Sequence, residues 1–254
     1  MKEQFNIFRT ALMFYTRVPV GKINGYSEGM LNKSTRYFPL IGLLVGGVAA
    51  FTFWTANLIL PGPIAVLLSM AATILFTGAF HEDGFADFCD GFGGGYTPEK
   101  ILDIMKDSRI GTYGSIGLLL MLLLKFFTLN EFAPVIIPIV LISGHMFSRL
   151  FPVFLIYTAE YVRLDETSKV KPVGKVDGAS TLIFALVTGV LPLFFIPWQW
   201  TVAVVVVLTV IFLFFRNYVK RKLGGYTGDV LGALQQLCEL FFYISLLAVQ
   251  NFIG

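Results

Sequence analysis

Residues 81–95 read HEDGFADFCDGFGGG, with four carboxylates, one histidine and five glycines directly after the uncharged stretch 64–80. Asp83, Asp87 and Asp90 stand at i, i+4 and i+7, one face of a helix, with Glu82 one step round. Like charges at that spacing repel. A hard divalent cation removes the repulsion, and Mg²⁺ takes oxygen ligands, a few carboxylates together with substrate phosphates. The spacing therefore predicts a Mg²⁺–diphosphate site held by Glu82, Asp83, Asp87 and Asp90. The plainer alternative is a solvated acidic loop that caps the preceding helix.

The glycines of DGFGGGY (90–96) predict a flexible turn whose free amides, those of Gly93 and Gly94 among them, approach an anion. No Walker spacing follows, so this is not a P-loop. Next comes TPEKILDIMKDSRIGTYG (97–114), with Thr97 as N-cap, Pro98 at the first helical position and Glu99 in the first turn. Ile101, Leu102, Ile104 and Met105 predict a helix lying on a membrane surface. Its polar side carries Asp103 and Asp107, then Lys106 and Arg109. Acids for a metal beside bases for phosphate oxygens is the combination phosphoryl transfer needs. Lys106 and Arg109 are the expected phosphate contacts; ion pairing with the same acids, or with lipid head groups, is the alternative.

The elements that must position these residues are apolar. The chain is 56% hydrophobic with 26 Phe, and its 14% of charged residues falls well below the roughly 25% of soluble domains. Seven spans are expected, at about 40–60, 62–80, 114–129, 133–157, 181–197, 200–215 and 230–250. Of the 19 Lys and Arg, 17 lie in segments 1–38, 81–113, 158–180 and 216–229, whereas the joints at 61–63, 130–132 and 197–199 have none. Basic residues mark the cytoplasmic side, so the expectation is an all-α polytopic integral membrane protein, a single membrane domain over 1–254. Its N-terminus would be cytoplasmic and its C-terminus outside, with the polar chemistry of joints 81–113 and 216–229 on the inner face.

The basic residues form no stripe, so nucleic acid is not an expected partner. Phe5, Phe8, Leu12 and Tyr15 share a helical face and predict an interfacial helix, not a cleaved signal peptide. Cys89 and Cys238 have no metal-type spacing. Inside the spans, Lys125, His145, Arg149 and Glu239 break the apolar pattern. Intramembrane charges point to function by default, yet pairing of Glu239 with Lys125 or Arg149, and plain hydrogen bonding of His145, are the expected roles here. In the last joint, Asp229, Gly232 and Gln236 share a face, and Thr227 or Asp229 caps span seven. If it is not the cap, Asp229 completes the acidic site from a second element.

The segments TRVP (16–19), RYFPLIG (36–42), HEDGFADFCDGFGGG (81–95), IMKDSRIGTYG (104–114), GHMFSR (144–149) and LGGYTGDVLGA (223–233) together resemble the cobalamin synthase family, the adenosylcobinamide-GDP ribazoletransferases. They lie in order across residues 16–233, and every acid of the signature is present. The resemblance implies a transferase of the bacterial inner membrane at the last assembly stage of vitamin B12. Such an enzyme joins adenosylcobinamide-GDP to α-ribazole or its 5′-phosphate with Mg²⁺, releases GMP, and yields adenosylcobalamin or its phosphate. On that footing Asp107, Asp229 and His81 are the candidates to take the proton of the attacking hydroxyl. Rival readings are an intramembrane prenyltransferase, a CDP-alcohol phosphotransferase and a transporter. The CDP-alcohol motif needs Ala-Arg after Asp-Gly, whereas Asp83-Gly84 is followed by Phe85-Ala86-Asp87. A transporter would place its polar residues at the midplane and show an inverted repeat.

Overall fold

The computed structural model describes residues 2–23, 25–162 and 177–253. The basic residues expected to mark joint 158–180 (Arg163, Lys169, Lys171 and Lys175) lie outside the described residues.

An amphipathic helix α1 (Lys2–Tyr15) comes first, followed by the short α2 (Glu28–Ser34) and a 3₁₀ turn over Thr35–Tyr37. Helix α1 buries Ile7, Thr10, Ala11 and Tyr15, with Tyr15 stacked on Phe38, while Phe5 stays exposed. Its packed stripe is thus rotated from the Phe5–Phe8–Leu12–Tyr15 face that the spacing offered. Then follow α3 (Phe38–Asn57), α4 (Gly62–Thr77), α5 (Phe80–Gly94), α6 (Pro98–Ile104), α7 (Thr112–Asn130), α8 (Ile137–Ser148), α9 (Leu150–Thr158), α10 (Gly178–Val190) with a 3₁₀ turn to Phe195, α11 (Trp198–Leu223) and α12 (Gly228–Ile253). Among the described residues the only β-type pairing is a single bridge between Tyr161 and Tyr226.

Among the described residues, six helical stretches are long and apolar enough to cross a membrane: 28–57, 112–130, 137–158, 178–195, 198–223 and 228–252. Large apolar side chains such as Leu119, Phe127, Val206 and Phe214 point outward and stay exposed, whereas Lys125, Arg149 and Glu239 are buried. That inversion of the soluble-protein pattern suits a lipid surround. The fold is that of a polytopic membrane protein.

The second expected span differs. Helix α4 has 16 residues, about 24 Å at 1.5 Å per residue, short of the roughly 30 Å hydrocarbon core. It ends where Gly78 and Ala79 both take left-handed backbone angles (φ 72° and 58°), and α5 leaves at 89°. Counted as one broken or re-entrant span, the pair brings the total to seven. The glycine at 78 makes the first left-handed step easy; Ala79 adopts the second despite its Cβ.

A second departure is inside α5 itself. The expected glycine turn does not form: the helix continues through Gly91, Gly93 and Gly94 and stops at Gly95. Packing explains this. A Cβ on Gly93 would lie 2.6 Å from the Tyr113 ring, and one on Gly95 2.6 Å from the Ile101 side chain. The close approach of α6 and the start of α7 outweighs glycine's helix cost of about 1 kcal/mol. An aromatic ladder then binds α5 to α11, with Phe88 on Phe92 and Phe215 (4.3 and 5.2 Å) and Phe92 on Tyr218 (5.5 Å).

Candidate active site

Helix α5 is the scaffold of the site, and the fold divides its four carboxylates among three tasks. Asp83 is exposed and Asp87 half-buried, one turn apart on the same face. Asp90 is buried and fully engaged. Its Oδ2 accepts from the Gly111 amide (2.7 Å) and its Oδ1 from the Gly114 amide (2.8 Å). It therefore supplies the carboxylate that the first turn of α7 favours at its positive end. Glu82 turns inward, its Oε1 accepting from Gln236 Nε2 at 3.1 Å. Among the described residues no three His, Cys, Asp or Glu side chains gather as a ready-made metal site. The four acids grouped by spacing thus do not converge.

A second element does reach the acidic face. A Cβ on Gly84 would lie 3.0 Å from Asp229 Cα, so the glycine lets the start of α12 press against α5. The cap of α12 is Thr227, whose Oγ1 accepts from the Val230 amide at 3.3 Å. Asp229 is therefore not the N-cap. It occupies the first turn, half-buried, where the helix dipole favours an anion.

Beyond Asp90 opens a cleft of about 530 Å³ lined by Lys100, Asp103, Asp107, Arg109, Gly111 and Tyr113, with Gly94 at its edge. Helix α6 builds one wall. Thr97 caps it as expected, accepting from the Lys100 amide at 3.3 Å, and Ile101 and Met105 bury its apolar side. Arg109 grips Asp107 with Nε and Nη2 at 3.0 and 2.7 Å, and the Arg109 amide adds a bond at 3.1 Å. These hydrogen bonds, side chain first, hold the Asp107 carboxyl down at about 2. Lys106 is exposed and is not among the residues that line the cleft. The amides of Gly93 and Gly94 stay inside the α5 ladder, and a helix C-terminus presents carbonyls, not amides. The backbone cradle expected there is replaced by a side-chain cleft.

His81 is nearly fully buried, stacked on Phe38 at 5.5 Å, with Nε2 enclosed. The other intramembrane polar residues form one cluster. Lys125 Nζ donates to Glu239 Oε1 (2.7 Å) and Gln236 Oε1 (2.6 Å), while His145 Nδ1 lies 2.9 Å from Glu239 Oε2. Glu239, expected to pair with Lys125 or Arg149, meets both, Lys125 at 2.7 Å and Arg149 at 3.9 Å.

The family model described as cobalamin-5-phosphate synthase matches residues 7–247. The chain belongs to that family. Relatives of this chain carry the name adenosylcobinamide-GDP ribazoletransferase. Those from Shewanella frigidimarina and Shewanella oneidensis are each 44% identical over 97% of this chain, covering 96% and 95% of their own lengths. One from Shewanella baltica is 43% identical over 98% of this chain and 96% of its own. No solved structure matches.

Two wall residues of this cleft, Lys100 and Tyr113, carry no motif of their own in the sequence. Lys100, Asp103 and Asp107 stand at i, i+3 and i+7, so the helical period of 97–107 carried the signal for Lys100. Tyr113 had none, because only the contact with Gly93 brings it to the cleft.

Proposed function

We propose that the chain joins the activated corrinoid adenosylcobinamide-GDP to α-ribazole or α-ribazole 5′-phosphate and releases GMP, as the names of its relatives describe. The observation that carries the reading is the acid- and base-lined cleft of about 530 Å³ that opens from the acidic helix α5. The membrane would be the bacterial inner membrane, with this cleft on the cytoplasmic side, as the distribution of basic joints supports.

Asp83 and Asp87 are the residues that would hold Mg²⁺. They fit it in kind, being two hard oxygen donors one turn apart, Asp83 exposed and Asp87 half-buried, and Mg²⁺ is commonly held by one or two carboxylates plus substrate phosphates. When bound, the ion neutralises charge on the diphosphate. Lys100, Lys106 and Arg109 approach the phosphate oxygens from the α6 side, Arg109 by exchanging Asp107 for the substrate. The ribazole hydroxyl attacks the phosphorus on the cobinamide side; the new P–O bond forms as the bond to the GMP oxygen breaks. The hydroxyl proton passes to Asp229. Of the three candidates, His81 is enclosed and Asp107 is held far below the range of a neutral-pH base. Asp90 keeps the start of α7, and so the cleft wall, in place.

The deciding experiment measures GMP release by the detergent-purified full-length protein, given adenosylcobinamide-GDP and α-ribazole 5′-phosphate, with and without Mg²⁺. The expected result is Mg²⁺-dependent GMP and cobalamin phosphate, lost in Asp83→Asn. Turnover by folded Asp83→Asn at the native rate would overturn the site assignment. Absence of any turnover by the native protein would overturn the reaction.

A further inference from the structure

Glu82 is one residue from Asp83 but faces the opposite task. Its carboxylate lines a small interior cavity, about 20 Å³, together with Lys125, His145, Glu239 and Tyr243. From Glu82 a chain of side-chain hydrogen bonds runs through Gln236 Nε2 (3.1 Å), from Gln236 Oε1 to Lys125 Nζ (2.6 Å), and on to Glu239 Oε1 (2.7 Å). Glu239 Oε2 accepts from Gln235 (2.7 Å) and lies 3.9 Å from Arg149 Nη1. The members come from α5, α7, α8 and α12, with Arg149 at the junction of α8 and α9.

The formal charges are two cations, Lys125 and Arg149, against two anions, Glu239 and Glu82. Lys125, Arg149 and Glu239 are buried among apolar helices, and Glu82 is half-buried at the edge of the cluster. Removing Glu82 would leave a net positive charge in a medium that cannot solvate it.

We infer that Glu82 is a positioning residue: it completes the charge balance of this buried cluster and thereby fixes the rotation of α5 that presents Asp83 and Asp87. A helix turns by about 100° per residue, so Asp83 and Asp87 lie roughly 100° and 140° round from Glu82. Pinning Glu82 inside therefore turns both outward, in keeping with the exposure of Asp83. Gln236 and Lys125 act through Glu82 and share the positioning role. The inference rests on the proposed role of Asp83 and Asp87, and it takes Glu82 out of the metal-holding set.

The test is a charge-balance cycle in the full-length protein: Glu82→Gln, Lys125→Gln and the double variant, with Asp83→Asn as control. Turnover, the Mg²⁺ concentration for half-maximal rate and the thermal unfolding midpoint are measured for each. Each single variant unbalances the core, and each is expected to lose at least about tenfold in kcat and to unfold at lower temperature. The double variant restores neutrality and should recover to within about threefold of native kcat, with Mg²⁺ half-saturation unchanged. A double variant as inactive as Glu82→Gln, with raised Mg²⁺ half-saturation, overturns the inference, because removal of Lys125 cannot replace a lost ligand. Single variants with native kcat overturn it as well. Should the double variant not fold, Gln236→Leu decides, since it cuts the link without changing charge. A fall in kcat of at least fivefold with unchanged substrate KM supports the role, and native kcat refutes it. An active Asp83→Asn would sink the proposed reaction site, whereas failed rescue beside an inactive Asp83→Asn sinks only this inference.

Discussion

Two ion pairs of the same length stand in opposite surroundings. Arg109 and Asp107 meet at 2.7 Å at the cleft, with side chains 87% and 40% exposed; Lys125 and Glu239 meet at 2.7 Å in the core, 6% and 5% exposed. Water makes the first pair cheap to separate, which is what the proposed exchange of Asp107 for a substrate phosphate requires of Arg109. Burial makes the second obligatory, because either partner alone would be an uncompensated charge in an apolar surround. The same chemistry therefore yields a weakly held, exposed contact in one region and a structural lock in the other. Helix α5 spans both, with Asp83 and Asp87 on the exposed face and Glu82 in the lock.

Breaking the lock should have the largest effect. Glu239→Leu removes the anion that faces Lys125, His145 and Arg149, and should cost about 3–5 kcal/mol. Thermal or denaturant unfolding in detergent checks it, and a variant as stable as native would show that the cluster is not a lock. At the exposed face, Asp83→Asn should lower kcat by about 10²–10³-fold while leaving the unfolding midpoint within a degree or two. A matching fall in stability would erase the contrast between the two regions.

Asp90→Asn addresses the boundary between them. It weakens the bonds to the Gly111 and Gly114 amides and should cost about 1 kcal/mol, with a modest loss of rate as the cleft wall loosens. Arg109→Gln should raise KM for the nucleotide-activated substrate about tenfold with kcat nearly constant, as expected for binding shared by ground and transition states. A fall confined to kcat would instead place Arg109 at the transferred group.

The smallest expected effect is on pH dependence. The Asp107 carboxyl is depressed from 3.8 to about 2, so the stabilisation it draws from Arg109 is present above the unfolded value and is lost as pH falls through about 2. The pH–rate profile should therefore show no Asp107 inflection between pH 5 and 9. An inflection there that disappears in Asp107→Asn would restore Asp107 as a base.

Much of this was legible from residue patterns. Long apolar runs marked the spans, since a helix facing lipid has little reason to be polar. The i, i+4, i+7 acids marked α5, and Thr97-Pro98 marked the start of α6. That Glu239 pairs with Lys125 or Arg149 followed from the cost of either charge alone in a membrane; which of them lies closer did not. The α4–α5 bend was not legible, because it depends on a left-handed Ala79 that no composition rule favours. Nor was the helical course of Gly91–Gly94, which only the packing of Met105, Ile101 and Tyr113 against bare backbone stabilises.

Local periodicity thus determined which residues share a helix face, because that depends only on the 3.6-residue turn. It could not determine which neighbour each face meets. Glu82 finds Gln236 across 154 positions, Lys125 finds Glu239 across 114, and Asp90 finds the Gly114 amide across 24. Those meetings are long-range contacts selected by the packing of the whole bundle. Tertiary structure alone therefore left Asp83 exposed and Asp87 half-buried, tied Asp90 to the start of α7 and turned Glu82 toward the core.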